Sequence, residues 1–321
     1  MPATTRPPFD PELAAALAAV AEELPSTITP EMIGVMREAD VTQPIEEVLA
    51  QRPEISHREQ VIPGYEGADL TISVFARKTH KAAGPGFFHT HGGGMIIGDR
   101  FTGIEVMLDW VEQFDGVCVS VEYRLAPEFP DPYPVEDCYA GLTWTAEHAA
   151  DLGIDPTRLI IAGGSAGGGL AAGTTLMARD RGGPDLLGQV LIYPMIDDRN
   201  DTVSAHQIDG EGVWDRTSNE TGWNALLGDR RGSEEVSIYA APARATDLSG
   251  LPPAFIDVGT AEVFRDEDVA YASAIWASGG VAELHVWPGG FHGFDLMVPH
   301  AVISQAMVAT RTAWVARLLA P

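Results

Sequence analysis

The sequence predicts an α/β protein in which helices cover both faces of a mainly parallel β-sheet. From about residue 70 onward, short apolar runs with strand character alternate with longer segments compatible with helices. Hydrophobic residues make up 45% of the 321-residue chain and charged residues 21%, which is the balance of an ordinary globular protein. The first 55 residues and residues 197–246 interrupt the alternation. We therefore expect one doubly wound sheet with two additions to it.

The first predicted element is an amphipathic helix near residues 13–21. Asp10 supplies an N-cap, and Pro11 is a favourable residue for the first helical turn. The apolar run lacks a basic leader and is flanked by Glu12 and Glu22, so it predicts neither a signal peptide nor insertion into a membrane. One face of this helix carries Leu13, Leu17, Val20 and Leu24.

The elements of the sheet and of its helical layers follow in order. Seven strands are predicted, at residues 70–76, 86–91, 117–123, 159–162, 190–193, 254–258 and 284–287. Five helices are predicted between and after them, near residues 103–114, 135–150, 167–181, 266–277 and 302–319.

The two interruptions predict a helical cap. Residues 1–55 contain prolines, and residues 197–246 are polar and contain no convincing strand. Together they are expected to fold over the ends of the strands, where open sheets bind their ligands. This divides the chain into the N-terminal part of the cap (1–55), the first part of the core (56–196), the cap insertion (197–246) and the second part of the core (247–321).

Charge and cysteine content exclude several classes of protein. The chain has 46 acidic and 20 basic residues and a net charge of −26, so its field repels nucleic-acid phosphates and anionic lipid surfaces. Cys118 and Cys138 lie in apolar stretches, without the spacing of a disulfide framework or a metal site. We expect a cytoplasmic protein that does not bind nucleic acid.

The segment Gly163-Gly164-Ser165-Ala166-Gly167 is the strongest local signal of chemistry. It follows a predicted strand and precedes a predicted helix, which is the context of a serine nucleophile on a sharp strand-to-helix turn. Small residues at Gly163 and Gly167 let such a turn close. Taken alone, the pattern fits equally well a glycine-rich helix start that packs closely or binds phosphate.

The segment His91-Gly92-Gly93-Gly94 follows an earlier strand. Consecutive glycines allow backbone N–H groups to point into a site, where they stabilise an oxyanion together with the N–H of Ala166. The alternative is a flexible loop. For His91 we expect a structural role, supporting the loop together with Gly92, rather than proton transfer.

The base and the acid of a hydrolytic site are expected late in the chain. His292 lies among glycines after the last predicted strand, which fits the order serine, acid, histidine. Glu262, just beyond the strand at 254–258, is the preferred acid, which would orient the imidazole and stabilise its charged form. Asp257 and Asp266 are the fallback candidates, and Asp266 also suits the start of the following helix.

Four segments, taken in order, resemble the hormone-sensitive-lipase-like family of esterases. The likeness extends from about Val61 to the C-terminus and implies an α/β-hydrolase fold, with a mainly parallel eight-stranded sheet flanked by helices and a helical cap. It also places the oxyanion-hole donors on Gly93, Gly94 and Ala166. The segments are His91-Gly92-Gly93-Gly94, Tyr123-Arg124-Leu125-Ala126-Pro127-Glu128, Gly163 to Gly168, and His292-Gly293-Phe294.

The sequence departs from the family pattern at two positions. Gly164 stands where the family commonly has aspartate, which removes a carboxylate beside the serine. Glu262 stands where the family more often has aspartate, so its side chain is one methylene longer and the loop must lie further from His292.

The expected reaction is a two-step acyl transfer by a serine carboxylesterase. Ser165 attacks the ester carbon while His292 takes its proton, and water then hydrolyses the acyl-enzyme. This mechanism requires no metal or other cofactor. The resemblance implies that the substrates are small molecules, namely short-chain acyl esters.

The side chains that contact the substrate are expected in the cap and in the loop from Met95 to Phe101. Ordinary core packing is the alternative for most of them. The candidates are Met95, Ile96, Phe101, Trp214 and Trp223.

The sequence argues against two alternatives, because all the catalytic residues of a serine hydrolase are present and no carboxylates match a metal site, and a third alternative remains open. The first is a small-molecule receptor that has kept the fold and lost turnover. The second is a metallohydrolase that uses His89 and His91, whose spacing suits two ligands on one strand face. The third is the same serine machinery acting on lactones, carbamates or amides.

The last predicted strand, Leu284 to Trp287, is a candidate surface for a homodimer. If it lies at a sheet edge, two copies of it would pair symmetrically, as the family resemblance implies.

Overall fold

The computed structural model describes residues 5–20, 25–38 and 43–320, and within them the chain folds around one eight-stranded sheet. The strands lie in the order β1-β2-β4-β3-β5-β6-β7-β8. The β1–β2 and β2–β4 pairs are antiparallel, and the other pairs are parallel. This confirms the predicted α/β class. The strands are Ile55–Pro63 (β1), Asp69–Arg77 (β2), Gly84–Thr90 (β3), Val117–Val121 (β4), Ile154–Gly164 (β5), Gly188–Ile192 (β6), Ala254–Gly259 (β7) and Ala282–Trp287 (β8).

Each of the seven predicted strands corresponds to an observed one, β2 to β8, with ends that differ by a few residues. The residue patterns did not predict β1. It lies at the edge of the sheet, and only Ile55 and Ile62 of its nine residues are buried. A strand with so little buried surface lacks the apolar run or strict alternation by which strands are recognised.

The helices cover both faces of the sheet, and all five of the helices predicted around the strands are present. They are Pro11–Val20 (α1), Ile33–Glu38 (α2), Ile45–Ala50 (α3), Ile104–Phe114 (α4), Tyr133–Glu147 (α5), Ala149–Leu152 (α6), Ala166–Arg181 (α7), Val203–Gln207 (α8), Arg216–Leu227 (α9), Arg265–Ala277 (α10), Phe294–Met297 (α11) and Val302–Leu319 (α12).

The predicted N-terminal helix is α1, and its N-cap is Asp10, whose Oδ1 accepts the backbone N–H groups of Glu12 and Leu13. Leu13 is fully buried. Three other parts of this prediction lie outside the described residues: the side chain of Val20, the flanking residues 21 and 22, and Leu24.

Alternate residues of the central strands enter two separate apolar clusters, because successive strand side chains point to opposite faces of a sheet. On β5, Ile161 belongs to the cluster under α5, α7 and α10, whereas Ile160 belongs to the cluster under α4 and α12. Leu13 of α1 and Val48 of α3 join the second cluster. These two layers hold the carboxyl ends of β3, β5 and β7 at one edge of the sheet.

Residues 197–246 form α8, α9 and connecting turns. They meet the N-terminal region at residues 26–28, where Thr27 Oγ1 donates to Asp215 Oδ2 at 2.5 Å and the Ile28 N–H donates to Ser218 Oγ at 2.8 Å. Asp215 also caps α9 by accepting the N–H of Ser218. The two regions predicted to form the cap are therefore in direct contact.

The N-terminal segment also reaches the far end of the chain. The Asp10 N–H donates to the carbonyl of Gly289 at 3.0 Å, and the ring of Phe9 packs edge-on against Phe291 at 6.0 Å between centroids. Both contacts lie in the segment that leads from β8 to His292.

Both cysteines are free thiols and are buried.

Within the part of the chain that the structure describes, no helix has the length and apolar character needed to cross a membrane.

Candidate active site

Ser165 lies in the turn between β5 and α7, with φ 58° and ψ −124°. A positive φ is strained for a residue other than glycine, and such strain persists only where the surroundings enforce it. Here the Ser165 N–H donates to the carbonyl of Ile192, and the Ser165 carbonyl accepts the N–H of Met195, both at 2.9 Å. The turn is thus held from the end of β6.

The glycines on either side of this turn are required by close backbone contacts. A Cβ atom at Gly167 would lie 2.0 Å from the carbonyl oxygen of Thr90, and one at Gly163 would lie 2.4 Å from the carbonyl oxygen of Gly167. Thr90 Oγ1 in turn donates to that Gly167 oxygen at 2.7 Å. No side chain fits at either position, so the end of β3 can lie directly against the serine turn.

His292 lies in the loop between β8 and α11, and its Nε2 is 2.9 Å from Ser165 Oγ. The rings of Tyr193 and Phe264 lie edge-on to the imidazole, at 4.8 and 5.0 Å between centroids. These rings fix the plane of the imidazole. Ser165 and His292 are 9% and 8% exposed, which leaves a narrow opening to both.

Glu262 follows β7, and its Oε2 accepts a hydrogen bond of 2.6 Å from His292 Nδ1. Its Oε1 accepts the N–H of Gly259 at 3.0 Å, so the carboxylate is oriented from both sides. Burial raises the pKa of Glu262, and the attraction of His292 opposes that rise. The side chain of Glu262 thus reaches His292 directly.

The two fallback acids have other partners. Asp257 is fully buried and contacts Arg311 at 3.1 Å, while Asp266 pairs with Arg265 and accepts the N–H of Ser204. Of the three candidate carboxylates, the structure brings Glu262 to His292.

The glycine loop after β3 lies beside the serine. A Cβ atom at Gly92 would be 3.6 Å from Ser165 Cβ, and Gly93 and Gly94 line the cavity that contains Ser165. Ala166 is the first residue of α7 and directly follows the serine. The three residues expected to donate to an oxyanion thus surround Ser165.

His91 is buried and holds this loop. Its Nδ1 donates to the carbonyl of Gly92 at 2.8 Å, and its ring stacks on Tyr123 at 4.0 Å between centroids. Tyr123 in turn donates its hydroxyl proton to the His91 carbonyl at 2.8 Å. Burial lowers the pKa of His91 to about 4, so the imidazole is neutral at pH 7. These contacts fit a structural role better than proton transfer.

His89, the other candidate metal ligand, points its Nδ1 at Ser120 Oγ at 2.9 Å, and burial lowers its pKa to about 3. Among residues 5–20, 25–38 and 43–320, no three His, Cys, Asp or Glu side chains are grouped in a way that would hold a metal ion.

A cavity of about 280 Å³ contains Ser165 and His292. Of the five side chains predicted to line the substrate pocket, Trp214 contacts this cavity, and Phe101 lines an adjoining groove instead. Met95, Ile96 and Trp223 are fully buried and do not line it. Sequence patterns indicate that a residue is apolar, but not on which side of a loop or helix it lies. The cavity also contains side chains that we did not predict: Pro25, Ile28, Met36, Tyr193 and Val213.

The chain is similar to known hydrolases over most of its length. Residues 87–296 match the model of a family described as the alpha/beta hydrolase fold. The chain is 36% identical over 255 residues to carboxylesterase NlhH of Mycobacterium tuberculosis. The aligned region covers 78% of this chain and 79% of the relative. It is 32% identical over 251 residues to esterase LipI of the same organism, covering 72% and 73%.

A solved structure titled as a bacterial heroin esterase superposes with a TM-score of 0.88 at 36% identity and covers 98% of each chain. The chain belongs to the hormone-sensitive-lipase-like family of α/β hydrolases. It is a carboxylic-ester hydrolase.

In this hydrolase, the glycine that departs from the family pattern lies against Tyr193. A Cβ atom at Gly164 would be 3.5 Å from the Tyr193 ring and free of closer contacts. The Tyr193 hydroxyl donates to Asp295 at 2.8 Å, and Arg311 lies between Asp295 and Asp257. No sequence motif marks this buried network, because its members come from four separate segments.

Proposed function

We propose that this hydrolase is a serine carboxylesterase that cleaves short-chain acyl esters by way of an acyl-enzyme. The observation that carries the proposal is the continuous chain of hydrogen bonds from Ser165 Oγ through His292 to Glu262. Because the Glu262 carboxylate can only accept, His292 Nδ1 carries a proton and Nε2 is left to accept one from the serine.

In the first half-reaction, Ser165 Oγ bonds to the ester carbon while His292 Nε2 takes its proton. The resulting oxyanion would be held by the backbone N–H groups of Gly93, Gly94 and Ala166. When the tetrahedral intermediate collapses, the bond to the alcohol breaks and His292 returns the proton to the departing oxygen. Water then repeats these steps on the acyl-enzyme and releases the acid.

The size of the cavity supports a small acyl group. At about 280 Å³, the cavity is just below the range of roughly 300–1,000 Å³ typical of sites for drug-sized ligands. Trp214 and Val213 close it on the side of residues 197–246, and Pro25, Ile28 and Met36 close it on the N-terminal side. Within the segments predicted to form the cap, 1–55 and 197–246, we assign the parts that line the cavity to a cap that sets the acyl limit.

The edge strand β8 supports a homodimer. It is the last strand of the sheet, and Val286, with Trp276 and Val281 beside it, exposes apolar surface there. Pairing of two copies of β8 would cover this surface. Sedimentation velocity should then give a dimer for the wild type and a monomer for Val286→Lys.

The negative charge and the two buried thiols support a cytoplasmic protein whose ligands are small molecules rather than nucleic acids.

The test measures hydrolysis of p-nitrophenyl butyrate and labelling by a fluorophosphonate in the wild type and in Ser165→Ala. We expect one label per chain, on Ser165, and a loss of about 10⁶ in kcat in the variant. Ser249→Ala, at an exposed serine, is the matched control and should behave as the wild type. A folded wild-type protein that is neither labelled nor active would refute the proposal and favour a receptor that has lost turnover.

A further inference from the structure

A large groove runs along the outside of the molecule between α4 and α12, and the reaction proposed above does not account for it. Its volume is about 1220 Å³. Residues of α4 form one wall, and residues of α11, α12 and the turn between them form the other. Trp110 Nε1 donates to Thr312 Oγ1 at 3.1 Å and thereby links the two helices.

The groove adjoins the cavity that contains Ser165, because the two spaces share lining residues. Where the two meet, Gly93 and Ile97 of the glycine loop face Asp295 and Leu296 of α11. Leu296 is 47% exposed although it is a large apolar residue, and it lies at this junction. Seven residues line both spaces: Gly93, Ile97, Thr102, Gly103, Val106, Asp295 and Leu296.

The two walls of the groove differ in chemistry. The α11–α12 wall is largely apolar and includes Leu296, Val308 and Ala309. The α4 wall carries carboxylates, of which Asp109 and Glu112 are paired with Arg52. The lining residues that the structure describes include no lysine and no arginine. Such a groove accepts an apolar chain and disfavours an anionic one.

The direction of the groove indicates which part of an ester it would receive. In acyl transfer the departing alcohol oxygen takes its proton from the histidine, so the alcohol lies on the histidine side of the serine. The junction is bounded by Asp295 and Leu296, which follow His292 by three and four residues. From Glu105 to Gln113 the α4 wall is about 12 Å long, at a rise of 1.5 Å per residue.

We propose that the groove binds the alcohol part of the substrate, so that the natural substrates are esters of a small acid with a long, apolar, non-anionic alcohol. The inference rests on the proposed serine esterase activity. The enclosed cavity limits the acyl group, and the groove takes up the alcohol on the other side of the ester bond.

The experiment uses two ester series. The first keeps the acetyl group and lengthens the alcohol, from ethyl to butyl, hexyl and octyl acetate, with hydrolysis followed by pH-stat. The second keeps p-nitrophenol and lengthens the acid from acetate to octanoate. The blocking variant is Ala309→Trp, which places an indole in the groove, and its matched control is Ala306→Trp. Both alanines are exposed on α12, and Ala306 does not line the groove.

For the wild type and for Ala306→Trp, we expect kcat/KM to rise with alcohol length, by up to about fourfold per methylene that becomes buried. In Ala309→Trp the rise should disappear, with a loss of at least about tenfold for octyl acetate and no change for ethyl acetate. Gln305→Trp, at a second exposed lining residue, should give the same result.

The inference would be overturned if kcat/KM of the wild type did not change with alcohol length. It would also be overturned if Ala309→Trp and Ala306→Trp changed kcat/KM for octyl acetate equally. A third contrary result would be a loss of kcat/KM in Ala309→Trp for the long p-nitrophenyl esters alone, because the groove would then receive the acid. Failure of the proposed function is distinguishable from these outcomes, since it would abolish hydrolysis of ethyl acetate and p-nitrophenyl acetate in every protein, the wild type included.

Discussion

Tyr193 donates its hydroxyl proton to Asp295 across a distance of 2.8 Å, and this bond anchors the ring that lies edge-on to His292. Asp295 is held in turn by Arg311, which is fully buried between two carboxylates. Tyr193 has a positive φ of 36°, so the backbone is strained at the residue that presents this ring. The orientation of the proposed base therefore depends on a buried network beyond Ser165, His292 and Glu262.

Tyr193→Phe keeps the ring and removes the hydrogen bond. Hydrogen bonds to charged groups contribute about 1.5–3 kcal/mol, so we expect lower stability, and a fall in kcat of up to about tenfold with KM little changed. Steady-state kinetics with p-nitrophenyl butyrate and urea denaturation measure the two effects. Tyr271→Phe is the matched control, because its buried hydroxyl has no hydrogen-bond partner among the described residues. A rise in KM at constant kcat would contradict a positioning role for Tyr193.

Gly94→Ala should displace the glycine loop after β3, whose N–H groups are proposed to hold the oxyanion. A Cβ atom there would lie 2.2 Å from the Trp214 ring, and the residue has a φ of 62°. Displacement of one oxyanion donor typically costs ~10²–10³ in kcat. Gly67→Ala is the control, because Gly67 also has a positive φ but open space around it, so only stability should fall, by about 1 kcal/mol. Equal kinetics for the two variants would argue against Gly94 as part of the site.

Glu262→Gln should lower kcat by up to ~10⁴, because an amide can favour the wrong tautomer of His292. Glu262→Asp shortens the side chain by one methylene from a 2.6 Å hydrogen bond and should retain more activity than the glutamine variant. Asp266→Asn should keep nearly full activity, since Asp266 pairs with Arg265 rather than His292. If Asp266→Asn were the inactive variant, the assignment of the acid would be wrong.

Asp268→Asn should change the pH dependence of stability. Both carboxylate oxygens of Asp268 are buried without a hydrogen-bond partner among the described residues. Burial, and then the charges of Glu267, Glu262 and Asp257, raise the pKa of Asp268 well above its usual value. A raised pKa in the folded state contributes stability that is complete below about pH 4 and is lost as the pH rises through that pKa.

Urea denaturation at pH 5, 6 and 7 measures this effect. As the pH rises, the free energy of unfolding of the variant should increase relative to that of the wild type, by at most about 1.4 kcal/mol per pH unit, because asparagine does not ionise. The control is Asp247→Asn, because hydrogen bonds from Ser249 lower the pKa of Asp247, which is therefore ionised throughout this range. Its free energy of unfolding should differ from that of the wild type by the same amount at all three pH values. Parallel curves for the wild type and Asp268→Asn would show that Asp268 is not protonated in the folded state.

The sequence was sufficient to predict seven of the eight strands and the convergence of Ser165, His292 and Glu262. The buried strands are apolar runs that can be recognised locally, and the carboxyl ends of parallel strands meet at one edge. Glu262 was predicted as the acid from its place after β7. The structure adds the two contacts that orient its carboxylate.

The shape of the pocket could not be predicted in the same way. Trp214 and Trp223 look alike as apolar residues of the insertion, yet Trp214 lines the cavity and Trp223 is buried away from it. Which of them meets the cavity depends on how α9 packs against Gly94, and this is a long-range contact. Tyr193 was missed for the same reason, since its partner Asp295 is 102 residues away.

The contacts of Phe9 and Asp10 with the segment before His292 have a practical consequence for anyone who produces this enzyme. A bulky purification tag or a fluorescent fusion at the amino terminus would be joined to the strap formed by Phe9 and Asp10, which contacts the segment before the proposed base, His292. A shortened gene that begins at the start of the sheet would delete this strap altogether. A preparation of either kind that lacks activity would say little about the chemistry of Ser165.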